Sequence, residues 1–390
     1  MIYLAVLILI AYAAGLLPLC WGCWQTVKLV KDQRALPPVA GDGRDWPTLD
    51  VLIPVKDEAD HIAACVESVL AQQYPGVRIA VVNDRSTDDT AGVVQSIQDR
   101  HPELSRVDIT ELPEGYYGKP HALHSVAGEL KCDLVAFVDS DLHLEPGCLQ
   151  TLVHHLTSNN LDWVATMGAP EIHRFWEKLL MPLFGAVTFA WYDPRKISDP
   201  DWPDAIGSAM MVCRRDAYEA IGGHGAVIDV YDEDSELIRI AKRAGQKVSF
   251  VLASELFTQR HYGSLAGTIR GLTRTCIGGI KTVPRLLFTI NALNFVSLLP
   301  LGILLVLGIA PLFGATPIWI PLWLCMALLH LTISTALARL IFKTAKVDRR
   351  YALLHPLGCA VLIGICARAA VQILRGTPIT WRGTTVKHNA

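Results

Sequence analysis

"LVAFVDSDLHLEP", residues 134–146, is an apolar run that ends in two aspartates one residue apart. Leu134, Val135, Ala136, Phe137 and Val138 carry no polar side chain, the pattern of a strand covered on both faces. Asp139 and Asp141 then share its carboxyl end, where two carboxylates repel unless positive charge lies between them. A hard divalent cation of the Mg or Mn type prefers carboxylate oxygen and answers that repulsion. The plainer reading is an Asp-rich turn in which Asp141 caps a following helix.

Working outward from that stretch, short apolar runs alternate with helical patterns from residue 49 to about 255. "LDVLIPV" (49–55) and "VRIAVVND" (77–84) read as strands. "HIAACVESVLAQQ" (61–73) reads as a helix with Ile62, Val66, Val69 and Leu70 on one face. "STDDTAGVVQSIQDRH" (86–101) reads as a second helix, capped by Ser86 or Thr87. The alternation predicts an α/β unit with a mainly parallel sheet. Each strand ends in polar residues: Lys56, Asp57 and Glu58; Asn83 and Asp84; Asp139 and Asp141. Ligands of open α/β sheets bind outside the carboxyl ends of the strands, so three clusters converge on one crevice. Neither G-x-x-x-x-G-K-[ST] nor G-x-G-x-x-G is present, which argues against a P-loop NTPase and a Rossmann dehydrogenase.

The chain has 390 residues, 51% hydrophobic and only 18% charged, against about 25% charged for soluble domains. Residues 2–24 hold no charge and are long enough to span a bilayer. Lys28, Lys31 and Arg34 follow that run instead of preceding it, which favours an uncleaved anchor over a signal peptide. The positive-inside rule then places residue 28 onward in the cytoplasm. Residues 286–313 and 317–342 are each long enough to span, and the basic loop "KTAKVDRR" (343–350) after them is expected to be cytoplasmic. A third apolar stretch, 352–374, is interrupted by Pro356 and Arg368 and is followed by Arg375, Arg382 and Lys387. A third span would put those charges outside, so a re-entrant or interfacial segment is the alternative. "HRFWEKLLMPLFGAVTFAWY" (173–192) reads as an interfacial helix lying on the membrane, with a buried core helix as the rival. The ten cysteines are scattered singly, apart from Cys20 and Cys23 in an apolar run, so no disulfide framework or zinc site is indicated. A formal net charge of −2 gives no argument for nucleic-acid binding.

Four motifs together resemble the membrane-bound family 2 glycosyltransferases of GT-A fold. They are "IPVKDEADHIAACVESVLAQQYP" (53–75), "VVNDRSTDDT" (81–90), "FVDSD" (137–141) and "YDEDSELIRIAKRAG" (231–245). The resemblance covers about residues 45–285, and the flanking apolar segments match the membrane-anchored members. It implies an anchor at 1–27, a cytoplasmic catalytic domain at 45–285 and a membrane region of two to three helices at 286–390. It also implies an integral cell-membrane protein that uses a nucleotide-sugar donor, a membrane lipid acceptor and Mg2+ or Mn2+. Asp84 corresponds to the nucleotide-contacting aspartate, Asp139 and Asp141 to the metal-binding D-x-D, and Asp234 to the catalytic base. Pro54, Asp57 and Glu58 fall in the opening motif on the donor side. Inversion at the anomeric carbon is what the family implies.

The chemistry of these residue types agrees. A cation on Asp139 and Asp141 would neutralise charge developing on a departing diphosphate. Asp141 is the candidate direct ligand, and Asp139 reaches ribose or metal-bound water. Attack by an acceptor hydroxyl needs a base on the opposite face, where Asp232, Glu233 and Glu236 compete with Asp234. Those four acids could instead merely complement a helix N-terminus. Lys119 in "EGYYGKPHAL" is a candidate phosphate partner, and Gly207 and Ser208 in "GSAMMVCRRDAYEAIGG" a candidate acceptor-side turn beside Glu233. The processive members carry Q-x-x-R-W after the base, whereas this chain has "QRHYGSLAGTIRGLTR" (259–274). Arg270 and Arg274, four residues apart, are candidate diphosphate contacts or lipid-headgroup contacts. Without R-W the layout looks closer to ceramide, hopanoid or carotenoid glycosyltransferases, and "TWRG" (380–383) resembles their W-x-G ending. The alternatives are a processive polysaccharide synthase and, outside enzymes, a transporter or scaffold with a nucleotide-binding domain.

Overall fold

The computed structural model describes residues 45–260, 262–313 and 319–377, the backbone of 379–381 and 384–386, and isolated positions from 12 to 39. The expected 1–27 anchor therefore lies largely outside the described residues, as do "GATP" (314–317) and Arg382–Gly383.

Strand β1 (Leu49–Val55) leads through helix α1 (Ile62–Leu70) to β2 (Val77–Asp84), and then through α2 (Thr90–Gln98) to β3 (Leu104–Ile109). Helix α3 (Gly118–Ala127) precedes β4 (Leu134–Val138), whose five residues are all buried, as the apolar run requires. After it come β5 (Leu142–Leu144), α4 (Cys148–Ser158), β6 (Trp163–Met167), β7 (Ala169–Pro170) and α5 (Phe175–Trp191). The domain continues with β8 (Met210–Arg214), α6 (Glu233–Arg243), β9 (Val248–Leu252), β10 (Phe257–Gln259) and α7 (Leu265–Thr275).

Seven strands form one sheet in the order β3-β2-β1-β4-β8-β6-β9. All run parallel except β8, which is antiparallel to both β4 and β6. Alternating residues of β1 face opposite layers. Leu49, Val51, Ile53 and Val55 pack with α1 and α4, while Leu52 packs with α3 and α6. The chain moves outward from β1 to β2 and β3, then returns on the other side of β1 with β4. That reversal opens a crevice at the carboxyl ends of β1 and β4. A smaller sheet, β5-β10-β7, closes one side of it.

Helix α2 begins later than its sequence suggested. Asp88, not Ser86 or Thr87, accepts from the Thr90 N–H (3.0 Å) at its start.

Past α7 the chain is apolar helix: α8 (Val283–Leu293), α9 (Leu299–Ile309), α10 (Ile320–Thr344) and α11 (His355–Leu374). Three continuous helical stretches, Val283–Leu312, Ile320–Thr344 and Arg349–Leu374, are long and apolar enough to cross a membrane. Pro356 does not interrupt the third of these. It sits in the first turn of α11, where no helical N–H is lost. Helix α5 does not simply lie open on a surface. Leu179, Leu180 and Leu183 are buried together with Cys359, Leu362 and Cys366 of α11, so α5 joins the sheet domain to the apolar helices.

Candidate active site

Strand β4 delivers Asp139 and Asp141 to the crevice through a tight turn in which the Leu142 N–H donates to the Asp139 carbonyl (3.2 Å). The turn reading is thus correct, but Asp141 caps no helix, because the chain enters β5 instead. The two carboxylates have different neighbours. The Asp141 backbone carbonyl accepts from the Arg260 N–H (3.0 Å), and its Oδ2 lies 3.4 Å from Nε2 of Gln259 on β10. Asp139 Oδ1 is held by the Lys119 ammonium at 2.7 Å.

Lys119 stands in the first turn of α3, and its Nζ also lies 2.8 Å from Glu233 Oε1. One ammonium therefore ties the end of β4 to the start of α6. Burial alone would lower the Lys119 pKa, yet the charges of Asp139, Glu233 and Asp234 outweigh it and hold the group well above the ordinary lysine value. Burial pushes the Glu233 carboxyl up to about 7 even with Lys119 beside it, and the Asp234 charge adds to that rise. Gly118 begins α3 directly against the buried Asp84 carboxylate, which pairs with Arg85 at 2.7 and 2.9 Å.

Helix α6 carries Glu233, Asp234 and Glu236 in its first turn and Lys242 and Arg243 in its last, a charge order that suits the helix dipole. Asp234 is more specifically held. Its Oδ2 accepts from the Ser208 N–H and its Oδ1 from the Ser235 N–H, both at 2.7 Å. A Cβ on Gly207 would come within 3.1 Å of Asp234 Oδ2, so a side chain there would crowd the carboxylate. Gly207 and Ser208 thus serve Asp234 itself. Asp232 is framed by Lys281 at 3.5 Å and Arg239 at 3.7 Å, and burial, with the Asp234 charge, raises its pKa to about 6. Buried Arg239 also reaches Glu236 at 3.0 Å and Asp204 at 3.8 Å.

The remaining candidates are more dispersed. Pro54 lies past the last β1–β4 pair, Leu52 with Phe137, where the ladder has opened and a missing N–H is tolerated. Asp57, at φ +50°, accepts from the Thr87 N–H (2.7 Å), and the Glu58 N–H donates to Thr90 Oγ1 (2.9 Å). Both brace the turn after β2. Arg270 and Arg274 stand four residues apart on α7, Arg270 exposed and Arg274 half-buried near Tyr231 and Tyr262. Sequence reading missed Arg239 and Lys281 entirely. Gln259 was visible only as the first letter of a motif the chain otherwise lacks, and the β5–β10 pairing of Leu142 with Gln259 is what brings it to Asp141.

The donor set suits a hard cation: carboxylate oxygens, with no cysteine or histidine among them. Among the described residues no group of three or more His, Cys, Asp or Glu side chains is gathered to hold an ion unaided. That is the usual case for Mg-type sites, which take one or two carboxylates and complete their shell with substrate phosphate and water. A lysine ammonium already lies between two of the acids, so this part of the crevice accommodates positive charge.

Comparison with known proteins agrees with this geometry. A model described as glycosyl transferase family 2 matches residues 50–222. The 4,4'-diaponeurosporenoate glycosyltransferases of Staphylococcus aureus strains bovine RF122 / ET3-1 and USA300 are each 29% identical to the chain. The alignments cover 45% of this chain and 46% of each relative, so the match spans about half the length of those curated proteins. A solved mannosyltransferase from Pyrobaculum calidifontis, in complex with GDP-Man and Mn2+, shares the fold with a TM-score of 0.51 and 19% identity, over 94% of this chain and 97% of that one. Residues 50–222 thus match the family 2 glycosyl transferase model, and the mainly parallel sheet with its crevice at the carboxyl edge is of GT-A type.

Proposed function

We propose that the protein is an inverting glycosyltransferase that moves a sugar from a nucleotide-sugar donor, a UDP-sugar by preference, to the hydroxyl of a membrane lipid at the cytoplasmic face. The observation that carries this reading is the Lys119 ammonium bridging Asp139 and Glu233, because it gathers the D-x-D carboxylate and the base helix around one point. Asp139 and Asp141 would hold Mg2+ or Mn2+, which when bound supplies positive charge to a departing diphosphate. Lys119 is suited to pair with the same diphosphate as a point charge. Asp84, buried at the end of β2, serves the nucleoside side. Asp234 is held in place by two N–H donors, which suits a positioned base that must receive a proton from an attacking hydroxyl.

The lipid acceptor is supported by two features. Apolar helices long enough to span pack against the domain through α5, and the Staphylococcus aureus relatives are named for transfer to diaponeurosporenoate. A panel of labelled UDP- and GDP-sugars, offered to membranes containing the protein, tests the reading. One donor is expected to label a lipid that extracts into organic solvent and carries a single sugar. Label retained in a long water-soluble polymer would favour the processive synthase instead, and no transfer from any donor would sink both.

A further inference from the structure

In the crevice, Lys119 sits where a divalent cation on Asp139 would be felt most strongly. Its Nζ is 2.7 Å from Asp139 Oδ1 and 2.8 Å from Glu233 Oε1, with Asp234 next along α6. A cation that takes Asp139 Oδ1 must therefore displace an ammonium already paired there. It also strands Glu233, a buried carboxylate, without its counter-charge, and an uncompensated buried charge is costly.

We propose that Lys119 is a built-in occupant of this cation position, so that metal and nucleotide diphosphate load together and metal alone loads poorly. A diphosphate removes both obstacles. It gives the released ammonium a new anionic partner, and it adds its own oxygens to the cation shell. The lysine stem is long and flexible and its head is a compact point charge, which suits movement between two partners. By linkage the coupling is reciprocal: nucleotide strengthens metal binding by the same factor as metal strengthens nucleotide binding. The inference rests on the proposed metal role of Asp139 and Asp141.

The test measures Mn2+ binding to the purified full chain, by the electron paramagnetic resonance signal of the free ion, alone and with saturating UDP or GDP. Wild type is expected to bind Mn2+ at least tenfold more tightly with one of the nucleotides than without. Lys119→Met is expected to bind Mn2+ alone at least tenfold more tightly than wild type, with the nucleotide effect correspondingly smaller. Lys119→Arg keeps the charge and is expected to behave like wild type. Lys131→Met removes an equal charge from the exposed turn before β4, at the end of the sheet opposite the crevice, and is expected to change little. If Lys119→Met gains nothing over wild type, or Lys131→Met gains as much, the occupant role is overturned. Equal Mn2+ affinity of wild type with and without nucleotide overturns it too, whether or not any variant folds. Wild type that binds no Mn2+ even with UDP and GDP refutes the metal reading itself, and this inference falls with it.

Discussion

Asp234 and Glu233 are chain neighbours in opposite surroundings. Both Asp234 oxygens take backbone N–H donors, whereas Glu233 leans on one lysine. Asp234→Asn is expected to lower kcat by about 10²–10⁴-fold, the usual worth of a general base, with donor affinity little changed. An amide accepts through only one oxygen, so one of the two N–H groups loses its partner and the melting temperature falls modestly as well. Glu233→Gln, measured alongside for rate and donor affinity, is expected to cost far less in kcat. The reverse ranking would move the base to Glu233. A second residue-scale prediction concerns His224, which is buried, with Nδ1 2.9 Å from the Tyr218 hydroxyl. Burial pushes its pKa down from 6.5 to about 3. The unfolded chain therefore takes up a proton that the folded chain refuses, and stability falls as pH drops from 6.5 toward 3. By pH 5 this one group costs about 2 kcal/mol. His224→Gln is expected to flatten the acid side of the stability profile, read by melting temperature between pH 7 and 5. An unchanged slope would show that His224 does not govern it. At this scale the sequence revealed the acids but not their partners. Asp139 and Asp141 stood out because five apolar residues precede them. Lys119 meets Glu233 only because α3 and α6 share one face of the sheet, and no local pattern records that.

Among elements, β4 was legible because its run is apolar on both faces. The direction of β8 was not, since an antiparallel strand in a core has the same composition as a parallel one. The packing partner of helix α5 was hidden for a related reason. Its mixture of aromatic and basic residues fits an interface, but which side meets another helix depends on the partner. That partner is α11, where a Cβ on Gly358 would come within 2.5 Å of Leu183 Cδ1 and 3.3 Å of Leu179 Cγ. Gly358→Leu is therefore expected to force α5 and α11 apart at a cost of about 1–3 kcal/mol. Nucleotide binding in the sheet domain should survive. Unchanged thermal stability of the variant would show that α5 and α11 do not need this close approach.

For the whole molecule, the loop between the second and third long helices meets the sheet domain, where Lys346 Nζ lies 2.5 Å from Glu255 Oε1. The loop and the crevice thus share a side, and the long helix Ile320–Thr344, which packs against α9, ends at this loop. Lys343, Lys346, Arg349 and Arg350 make the loop basic, so the shared side is expected to be cytoplasmic. A tag at residue 346 should resist external protease in intact cells, and cleavage there without permeabilisation would invert the orientation. The two-helix layout was legible from hydropathy alone. The continuity of the third helix was not, because Pro356 reads as a breaker unless its place in the first turn is known. Lipid transfer by this crevice can be read from one experiment: mass analysis of lipid extracted after membranes holding wild type or Asp234→Asn are incubated with the accepted sugar nucleotide. Wild type should yield a lipid heavier by a single sugar residue, and Asp234→Asn should bind the donor yet leave that lipid nearly unmodified. Equal lipid product from both would contradict the assignment of Asp234, and sugar found only in water-soluble polymer would contradict the lipid acceptor.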